Sequence, residues 1–599
     1  MLLCYTIFCD PNETENNTIA IAATSDMHGH IYPWEYSTDE ETDVGFAKTD
    51  TVVQNLKYKY PNMLLIDIGD IFQDNLGEIF INNDTHPMIQ ALNLLKYDVW
   101  VPGNHDFNFG LNVLERNIQH FNGNVLCSNI IYEDSGKNYL SPYHIFDVNG
   151  IRVAIIGATA PHIKQWESSN SDHYKNLDFL DPLDSIKQTV KNIEGQYDIL
   201  VGAVHISRNG EYESEGKSGA FQIAQAIPEF DVIFAGHEHS LYRVNINGTW
   251  VLEPELYGSY VSFAKFDLKK DEKGKWKLTA TTAENISTKG VNSSEIVMNE
   301  FKWVHDICID YINKVIGEIK SDFINGVDYI TGGDKVTTMA RAQIEDTALM
   351  DFINEVQIFY SKSEISSAAL FRSDQNIKKG PIKYRDMIKI YKYDNNLVGI
   401  NIKGENLLKY MEYNAGYYQT TQEGDVTIAF NTKYSIYDYY MLSGINYDID
   451  ISQPEGSRIK NATINGKPID KNATYRLATT NHQLGKFINN NWTTNDDVYY
   501  NSVNDYPSTI RDFIIKYIKE ELKGEIVPSC DNNWKIIGLP KSFNDPKTIE
   551  KIKNGEIKIP WSDNAPNAKP IRKIDTNSNN NEKAKLGFIY LVIIYLIVF

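Results

Sequence analysis

Residues 97–106 read YDVWVPGNHD, a short apolar run that ends in a glycine, an amide, an imidazole and a carboxylate. An apolar run of this length is typical of a buried strand, and α/β proteins place functional groups at the carboxyl ends of such strands. Five further runs have the same character: IAIAATSD (19–26), NMLLIDIGD (62–70), IRVAIIGAT (151–159), YDILVGAVH (197–205) and FDVIFAGHEH (230–239). Together they predict an α/β domain over the first half of the chain.

Five of these six runs end in side chains that could bind metal ions, in a chain with only 13 histidines. The candidate ligands are Asp26, His28, Asp70, Asn104, His205, His237 and His239. Carboxylate, imidazole and amide ligands without thiolate suit Mn, Zn, Fe, Mg or Co, and the five cysteines form no C-x-x-C pair. Two cations about 3.5–4 Å apart can stabilise both oxygens of a displacement at phosphorus. The pattern therefore predicts a dimetal site for phosphoester hydrolysis.

The motifs D-x-H, G-D, G-N-H-D, H and G-H-x-H, in this order, resemble the calcineurin-like metallophosphoesterase superfamily over residues 18–290. The resemblance implies an αββα sandwich in which a metal-activated hydroxide attacks phosphorus. It also implies roles for single residues: Asp26, His28 and His239 for the first metal, Asn104, His205 and His237 for the second, Asp70 as the bridge, His105 to protonate or stabilise the leaving oxygen, and Asp106 to orient that imidazole. His30 is expected to be a loop residue.

The second half of the chain narrows the substrate class. The segments 390–418, 443–459 and 475–481 are similar to the C-terminal domain of the 5′-nucleotidase superfamily. Within it they look most like the 2′,3′-cyclic-nucleotide 2′-phosphodiesterase/3′-nucleotidase branch. This resemblance covers about residues 344–480 and implies an α+β nucleotide-binding domain.

In that superfamily the second domain holds the base between two aromatic rings, and stacking of this kind tolerates any base. The resemblance implies Tyr393 as the first ring, with Asn395 nearby, unless Tyr393 is simply a strand aromatic. Phe487 is preferred as the second ring over Tyr499 and Tyr500. Arg372 lies where relatives carry a glycine-rich loop, so it either contacts substrate or is a solvated loop arginine.

The predicted organisation is a possible signal segment at 1–17, the metallophosphoesterase domain at 18–290, a linker helix at 291–321, a substrate-binding domain at 322–544, a polar stalk at 545–585 and a hydrophobic anchor signal at 586–599. The apolar start could also be a misassigned start or a buried strand. The apolar end, LGFIYLVIIYLIVF, suits a GPI-anchor signal, while a short tail anchor or a buried terminal helix stay open. Nine N-x-S/T sequons add weak support for export.

The net charge of −21 argues against binding of nucleic-acid polymers but not of small nucleotides, because bound cations can supply positive charge locally. The leading hypothesis is an extracellular or surface-held hydrolase of 2′,3′-cyclic nucleotides and 3′-nucleotides, acting as a monomer or homodimer. A 5′-nucleotidase or UDP-sugar hydrolase is the alternative within enzymes. A surface binding protein that has lost catalysis is the alternative outside them.

Overall fold

A computed structural model describes residues 16–167, 171–210, 218–391, 393, 395–505 and 508–559. The chain forms two compact units, one up to Lys314 and one from Val315 onward. Most of the predicted signal segment, residues 560–585 of the predicted stalk and the predicted anchor at 586–599 lie outside the described residues.

The first unit alternates strands and helices along the chain. Its strands are β1 (Asn16–Thr24), β2 (Trp34–Glu35), β3 (Glu40–Glu41), β4 (Leu64–Asp67), β5 (Val99–Trp100), β6 (Asn124–Val125), β7 (Ile130–Tyr132), β8 (Tyr143–Val148), β9 (Ile151–Thr159), β10 (Leu177–Phe179), β11 (Ile199–His205), β12 (Val232–Ala235), β13 (Leu241–Ile246), β14 (Thr249–Pro254), β15 (Tyr260–Lys270) and β16 (Trp276–Ser287). Its helices are α1 (Phe46–Lys59), α2 (Pro87–Leu95), α3 (Leu111–His120), α4 (Ile163–Trp166), α5 (Pro182–Asn192), α6 (Ala220–Ala226), α7 (Glu295–Glu300) and α8 (Lys302–Asn313).

Two six-stranded sheets form the centre of this unit, in the orders β16-β15-β1-β4-β5-β6 and β13-β14-β12-β11-β9-β8. Strands β1, β4, β5 and β6 run parallel to one another, as do β9, β11, β12 and β14. All six runs that the sequence predicts as strands are strands of these two sheets. The carboxyl ends of the parallel strands therefore lie together at one edge of each sheet.

Successive side chains of a strand point to opposite faces of its sheet, and this alternation decides what packs on each face. On β9, Val153 and Ile155 belong to a core that also contains Ile21 of β1 and Leu64 of β4, so the two sheets pack face to face. The intervening residues point the other way, against α5 and α6. On the far side, Tyr60 at the end of α1 packs against Phe263 of β15, with ring centroids 5.5 Å apart. The layers are helix, sheet, sheet, helix, as the resemblance implies.

The second unit is a mixed α+β domain. Its strands are β17 (Val315–Ile319), β18 (Ile365–Ala369), β19 (Gly380–Lys383), β20 (Leu397–Lys403), β21 (Tyr440–Ser443), β22 (Asn446–Asp450), β23 (Ile459–Ile464), β24 (Lys467–Pro468), β25 (Thr474–Thr480), β26 (Val498–Asn501), β27 (Glu525–Ile526) and β28 (Trp534–Ile537). Its helices are α9 (Ala348–Ser361), α10 (Tyr384–Ile390), α11 (Gly404–Ala415), α12 (Asn481–Asn489), α13 (Ile510–Glu520) and α14 (Pro546–Lys553). A central five-stranded sheet, β21-β18-β25-β20-β26, shares one apolar core with the helices.

The linker predicted as one helix over 291–321 differs in the structure. Helix α7 ends before Phe301, which is buried, and α8 ends at Asn313. Residues Val315–Ile319 then form β17, which pairs with β19 and β27. The apolar spacing continues through this strand, so periodicity alone extended the predicted helix too far.

The stalk predicted from residue 545 also differs. Asp545 caps α14 by accepting a hydrogen bond from the Thr548 amide, and Ile552, Ile557 and Ile559 are buried in the core of the second unit. Residues up to 559 are thus part of the folded unit, because isoleucines recur through the polar stretch and three of them are buried. Among the described residues, no helix is both long enough and apolar enough to cross a membrane.

Candidate dimetal centre

The predicted ligands lie where parallel strands of the first unit end. Asp26 and His28 follow β1, Asp70 follows β4, and Asn104 follows β5 in the first sheet. His205 is the last residue of β11, while His237 and His239 follow β12 in the second sheet. Because the sheets pack face to face, loops from both supply side chains to one cluster.

The backbone at this cluster is held in a left-handed conformation that residues other than glycine rarely adopt. Asp26, His28, Asp70, His237 and His239 all have positive φ angles, from 43° to 87°. A left-handed residue of this kind costs about 1–2 kcal/mol, and such costs concentrate at functional sites. Five in one cluster therefore indicate that the loops are shaped by the function of the site.

The side chains form two groups that share Asp70. One group is Asp26, His28, Asp70 and His239, and the other is Asp70, His205 and His237, with the ligand atoms in each group within 4.8 Å of one another. The Nε2 atoms of His28 and His239 lie 3.2 Å apart, and His205 Nε2 lies 3.1 Å from Asp70 Oδ2. This division is the one that a bridging Asp70 requires.

Two of the histidines are oriented by backbone carbonyls. His28 Nδ1 hydrogen-bonds to Gln73 O at 3.1 Å, and His205 Nδ1 to Ile68 O at 2.5 Å. A carbonyl accepts, so each Nδ1 carries a proton, and Nε2 is the ring nitrogen that faces the centre and could bind a metal ion. Metal-binding histidines are held in the same way in most proteins.

Charges at the centre are strongly coupled. Burial would raise the pKa of Asp70, but the neighbouring His205 and His105 outweigh it and hold that pKa well below its ordinary range. Burial would likewise lower the pKa of His205, but Asp70 and Asp26 raise it to about 10. Burial dominates at His28, whose pKa falls to about 4.

Three buried polar atoms of the cluster indicate whether its residues suit metal ions. Asp70 Oδ2, Asn104 Oδ1 and His205 Nε2 are buried and make no hydrogen bond of regular geometry within the described part of the chain. Leaving a buried polar atom unsatisfied costs about 1–3 kcal/mol. All three are donor atoms for divalent cations, so the residues present fit a pair of metal ions.

Glycines allow the loops to approach this closely. A Cβ on Gly103 would lie 2.2 Å from Asp70 Oδ1 and 2.7 Å from His205 Cε1. A Cβ on Gly236 would lie 2.9 Å from Asp26 Oδ2. Gly103 and Gly236 are thus required by space, because a side chain at either position would collide with the ligand loops.

His105 is half-buried at the rim of the cluster, 5.6 Å from His28 between ring centroids. The predicted role of Asp106 is wrong in this structure: its buried carboxylate accepts backbone N–H bonds from Asp70, Ile71 and Gly103 at 2.8–3.0 Å. The imidazole of His105 is instead oriented by Asn108, whose Oδ1 lies 2.7 Å from His105 Nδ1. Asp106 therefore fixes the ligand loops, and the motif could not show which acceptor faces the ring.

Sequence reasoning also missed two aromatic neighbours of the ligands. Trp166 stacks on His237 with ring centroids 5.4 Å apart. Tyr257 stacks on His30 at 4.0 Å, and His30 is a buried support that hydrogen-bonds to His28 O. Both aromatics lie far from the motifs in sequence, in segments without a distinctive pattern.

The predicted base-binding residues lie in the second unit. Tyr393 is 41% exposed, and its ring meets the edge of Phe371 with centroids 5.1 Å apart. Asn395, just after it, is partly buried. Arg372 forms a two-point ion pair with Asp374 at 3.0 Å.

Phe487 does not suit the role of second ring. It is fully buried on α12, packed between Tyr410 and Trp492 with centroids 4.4 and 5.7 Å away. No face of the ring is open to a base. Tyr499 and Tyr500, the other two candidates, are partly exposed on β26.

Comparison with known protein families agrees with this architecture. Residues 19–241 match the family described as Calcineurin-like phosphoesterase, and residues 315–494 match the 5′-nucleotidase C-terminal domain. Together the two matches cover about two thirds of the chain. The chain therefore combines a calcineurin-like phosphoesterase domain with a 5′-nucleotidase C-terminal domain.

Three known proteins are similar to this chain over most of its length. The trifunctional nucleotide phosphoesterase YfkN of Bacillus subtilis is 26% identical over 86% of this chain, which spans 39% of YfkN. A 2′,3′-cyclic-nucleotide 2′-phosphodiesterase/3′-nucleotidase of Salmonella typhimurium is 26% identical over 86% of this chain and 88% of its own length. The solved 5′-nucleotidase precursor of Thermus thermophilus has the same fold, with a TM-score of 0.58, 20% identity, and coverage of 88% of this chain and 100% of that one.

The family match and the clustered ligands agree. This two-domain protein is a metal-dependent phosphoester hydrolase, and its first unit carries the hydrolase centre.

Proposed function

We propose that this enzyme hydrolyses 2′,3′-cyclic nucleotides and 3′-nucleotides to nucleoside and phosphate. The observation that carries the proposal is the two-group ligand cluster joined by Asp70, with His105 at its rim. Several relatives that match most of the chain bear the name 2′,3′-cyclic-nucleotide 2′-phosphodiesterase/3′-nucleotidase. This points to the nucleotide class and, within it, to the ribose 2′ and 3′ positions.

The chain's own residues divide the work. Asp26, His28 and His239 would hold one cation, Asn104, His205 and His237 a second, and Asp70 both. Such a pair supplies Lewis-acid stabilisation and an activated nucleophile at phosphorus, and Mn, Zn, Fe, Mg or Co suits the oxygen and imidazole ligands. His105 would protonate the leaving oxygen. Tyr393 and Asn395 would bind the base, and the Arg372 side chain a further part of the substrate.

We also propose that the protein acts outside the cell or at its surface, as a monomer or homodimer, on small nucleotides. The support is the apolar character of both chain ends and the exposure of the sequon asparagines Asn16, Asn247, Asn292, Asn461, Asn472 and Asn491. Expression in a secreting eukaryotic host, followed by deglycosylation, tests this: a loss of apparent mass is expected. Retention of an unmodified protein inside the cells would contradict it.

The substrate proposal is tested by one panel. Purified protein is assayed on 2′,3′-cyclic AMP, 3′-AMP, 5′-AMP and UDP-glucose with added Mn²⁺, and again with a chelator. We expect the highest kcat/KM on the first two and loss of all activity with the chelator. A dominant rate on 5′-AMP or UDP-glucose would replace the proposal with the 5′-nucleotidase or sugar-nucleotide alternative. Metal binding without turnover of any substrate would favour a binding protein.

A further inference from the structure

A chain of hydrogen bonds leads from His105 away from the metal ligands. His105 Nδ1 lies 2.7 Å from Asn108 Oδ1, and Asn108 Nδ2 donates to Glu167 Oε1 at 2.6 Å. Glu167 Oε2 lies 2.6 Å from His173 Nδ1. The side chains of Glu167 and His173 are only 12% and 13% exposed, so water competes little for these bonds.

The chemistry of the partners fixes the direction of every bond. An ionised carboxylate only accepts, so Glu167 must face the NH₂ of Asn108 and not its oxygen. The carboxamide oxygen is thereby turned toward His105, and an oxygen there requires a proton on Nδ1. His173 supports the arrangement, because its Nδ1–H donates to the second oxygen of Glu167.

We propose that Asn108 and Glu167 are positioning residues that hold His105 with its Nε2 facing the substrate. The proposal rests on the assigned role of His105 toward the leaving oxygen. As the P–O bond breaks, the proton passes from Nε2 of the imidazolium to the leaving oxygen. The neutral ring keeps its Nδ1 proton, which stays bonded to Asn108. Glu167 acts through Asn108 by preventing the carboxamide from turning over.

This arrangement differs from a direct histidine–carboxylate pair. Asn108 orients the ring but carries no charge. The carboxylate that completes the chain of bonds belongs to Glu167, which contacts Asn108 and not the ring. Exchanging the amide for a carboxylate would therefore not be conservative. An aspartate at position 108 would place two acceptors against each other at a distance of 2.6 Å.

The first test separates proton transfer from metal-site integrity. Asn108→Ala is assayed on the enzyme's best nucleotide substrate and on p-nitrophenyl phosphate, whose leaving group departs without a proton. We expect kcat to fall roughly 10- to 100-fold on the nucleotide, a part of the usual contribution of acid catalysis, with KM little changed. On p-nitrophenyl phosphate we expect less than about a threefold loss. Equal losses on both substrates would mean a structural role and would overturn the proposal.

The second test uses the repulsion between two hydrogen-bond acceptors at positions 108 and 167. Asn108→Asp is expected to lose activity, because its carboxylate meets that of Glu167. Adding Glu167→Gln in the same protein supplies an NH₂ donor to the new carboxylate at position 108 and should restore kcat at least about tenfold relative to Asn108→Asp alone. A double variant no better than the single one would overturn the proposal.

Asn112→Ala is the matched control, because this asparagine lies on the same segment and, among the described residues, its Oδ1 accepts only a local bond from the Val113 amide. Its activity should equal that of the unmodified enzyme. The tests compare variants on whichever nucleotide is turned over best. A preference for 5′-AMP would therefore sink the proposed substrate class and leave this proposal standing.

Discussion

Among single residues, Asp70 connects the two halves of the centre. Its Oδ1 accepts the backbone N–H of His105 at 2.8 Å, while its Oδ2 is buried and faces His205. Asp70→Asn keeps the shape but removes the charge that two cations would share. We expect activity to fall by more than about 100-fold, beyond the usual effect of losing an outer partner.

The same variant should separate metal binding from folding. At 100 times the dissociation constant, metal adds about 2.7 kcal/mol to the stability of the unmodified enzyme. Thermal unfolding with and without Mn²⁺ should show this shift only when Asp70 is present. His144→Ala on β8 serves as the control and should behave like the unmodified enzyme. An undiminished shift in Asp70→Asn would show that the metals bind elsewhere.

Gly103→Ala probes the close approach of the loops. The new Cβ would lie 2.2 Å from Asp70 Oδ1, so either the loop or the carboxylate must move. Because a 1 Å misplacement can cost about 100-fold in rate, we expect kcat to fall by about that factor. Gly485→Ala on α12, where an added Cβ meets nothing within 4 Å, should leave kcat unchanged. An active Gly103→Ala enzyme would show that the loops can separate without loss.

At this scale the sequence predicted which residues meet, but not all of what they do. The ligands could be found because each follows an apolar strand, and parallel strands end at one edge. The partner of His105 could not, because Asn108 and Asp106 are both near it in sequence and only the fold decides which one reaches the ring. The burial of Phe487 could have been predicted, because Leu484, three residues earlier, lies on the same buried face of α12.

Among the elements, α14 is the clearest departure from expectation. Ile552 is 6% exposed and lies in the core of the second unit. Ile552→Ala should lower the free energy of unfolding by about 2–3 kcal/mol, as for other buried isoleucines. Lys553→Ala, next to it but exposed, should change stability by less than about 0.5 kcal/mol. Urea unfolding measures the free energy of unfolding of the two variants. A packed helix predicts a loss only in Ile552→Ala, whereas a solvated stalk predicts no loss in either variant.

Elements with strong periodicity were predictable, and their ends were not. Helix α8 falls within the predicted linker, but it ends at Asn313 and not at residue 321. The predicted linker helix is interrupted at Phe301, between α7 and α8. From Val315 the pairing of β17 with β19 overrides an apolar spacing that would suit a helix equally well.

For the whole molecule, a group of acids in the second unit makes stability depend on pH. Burial, and then Asp351 and Asp531, raise the pKa of Asp346 to about 7, and burial raises the pKa of Asp351 to about 6. Both values exceed the ordinary 3.8, so the folded protein holds more protons than the unfolded one between about pH 4 and 7. Their contribution to stability is complete below pH 4 and is lost as the pH rises through this window.

Asp351→Asn should flatten this dependence. The variant keeps an oxygen to accept the Asp531 amide but no longer titrates. We expect the difference in unfolding free energy between pH 4.5 and pH 8 to shrink by on the order of 1–2 kcal/mol. Urea titrations at the two pH values, with chelator present throughout, measure it. Asp334→Asn, at an exposed site, is the control, and an equal slope in all three proteins would contradict the assignment.

The ligand loops come from two sheets, and this has a practical consequence for dividing the chain. Gly136 lies in an exposed turn, where an added Cβ would meet nothing within 4 Å. A break there leaves Asp26, His28, Asp70 and Asn104 on one fragment and His205, His237 and His239 on the other. Neither fragment could assemble a hydrolase alone, so phosphate release would report that two separately expressed polypeptides have met. The enzyme is thus a scaffold for a complementation reporter with a catalytic readout.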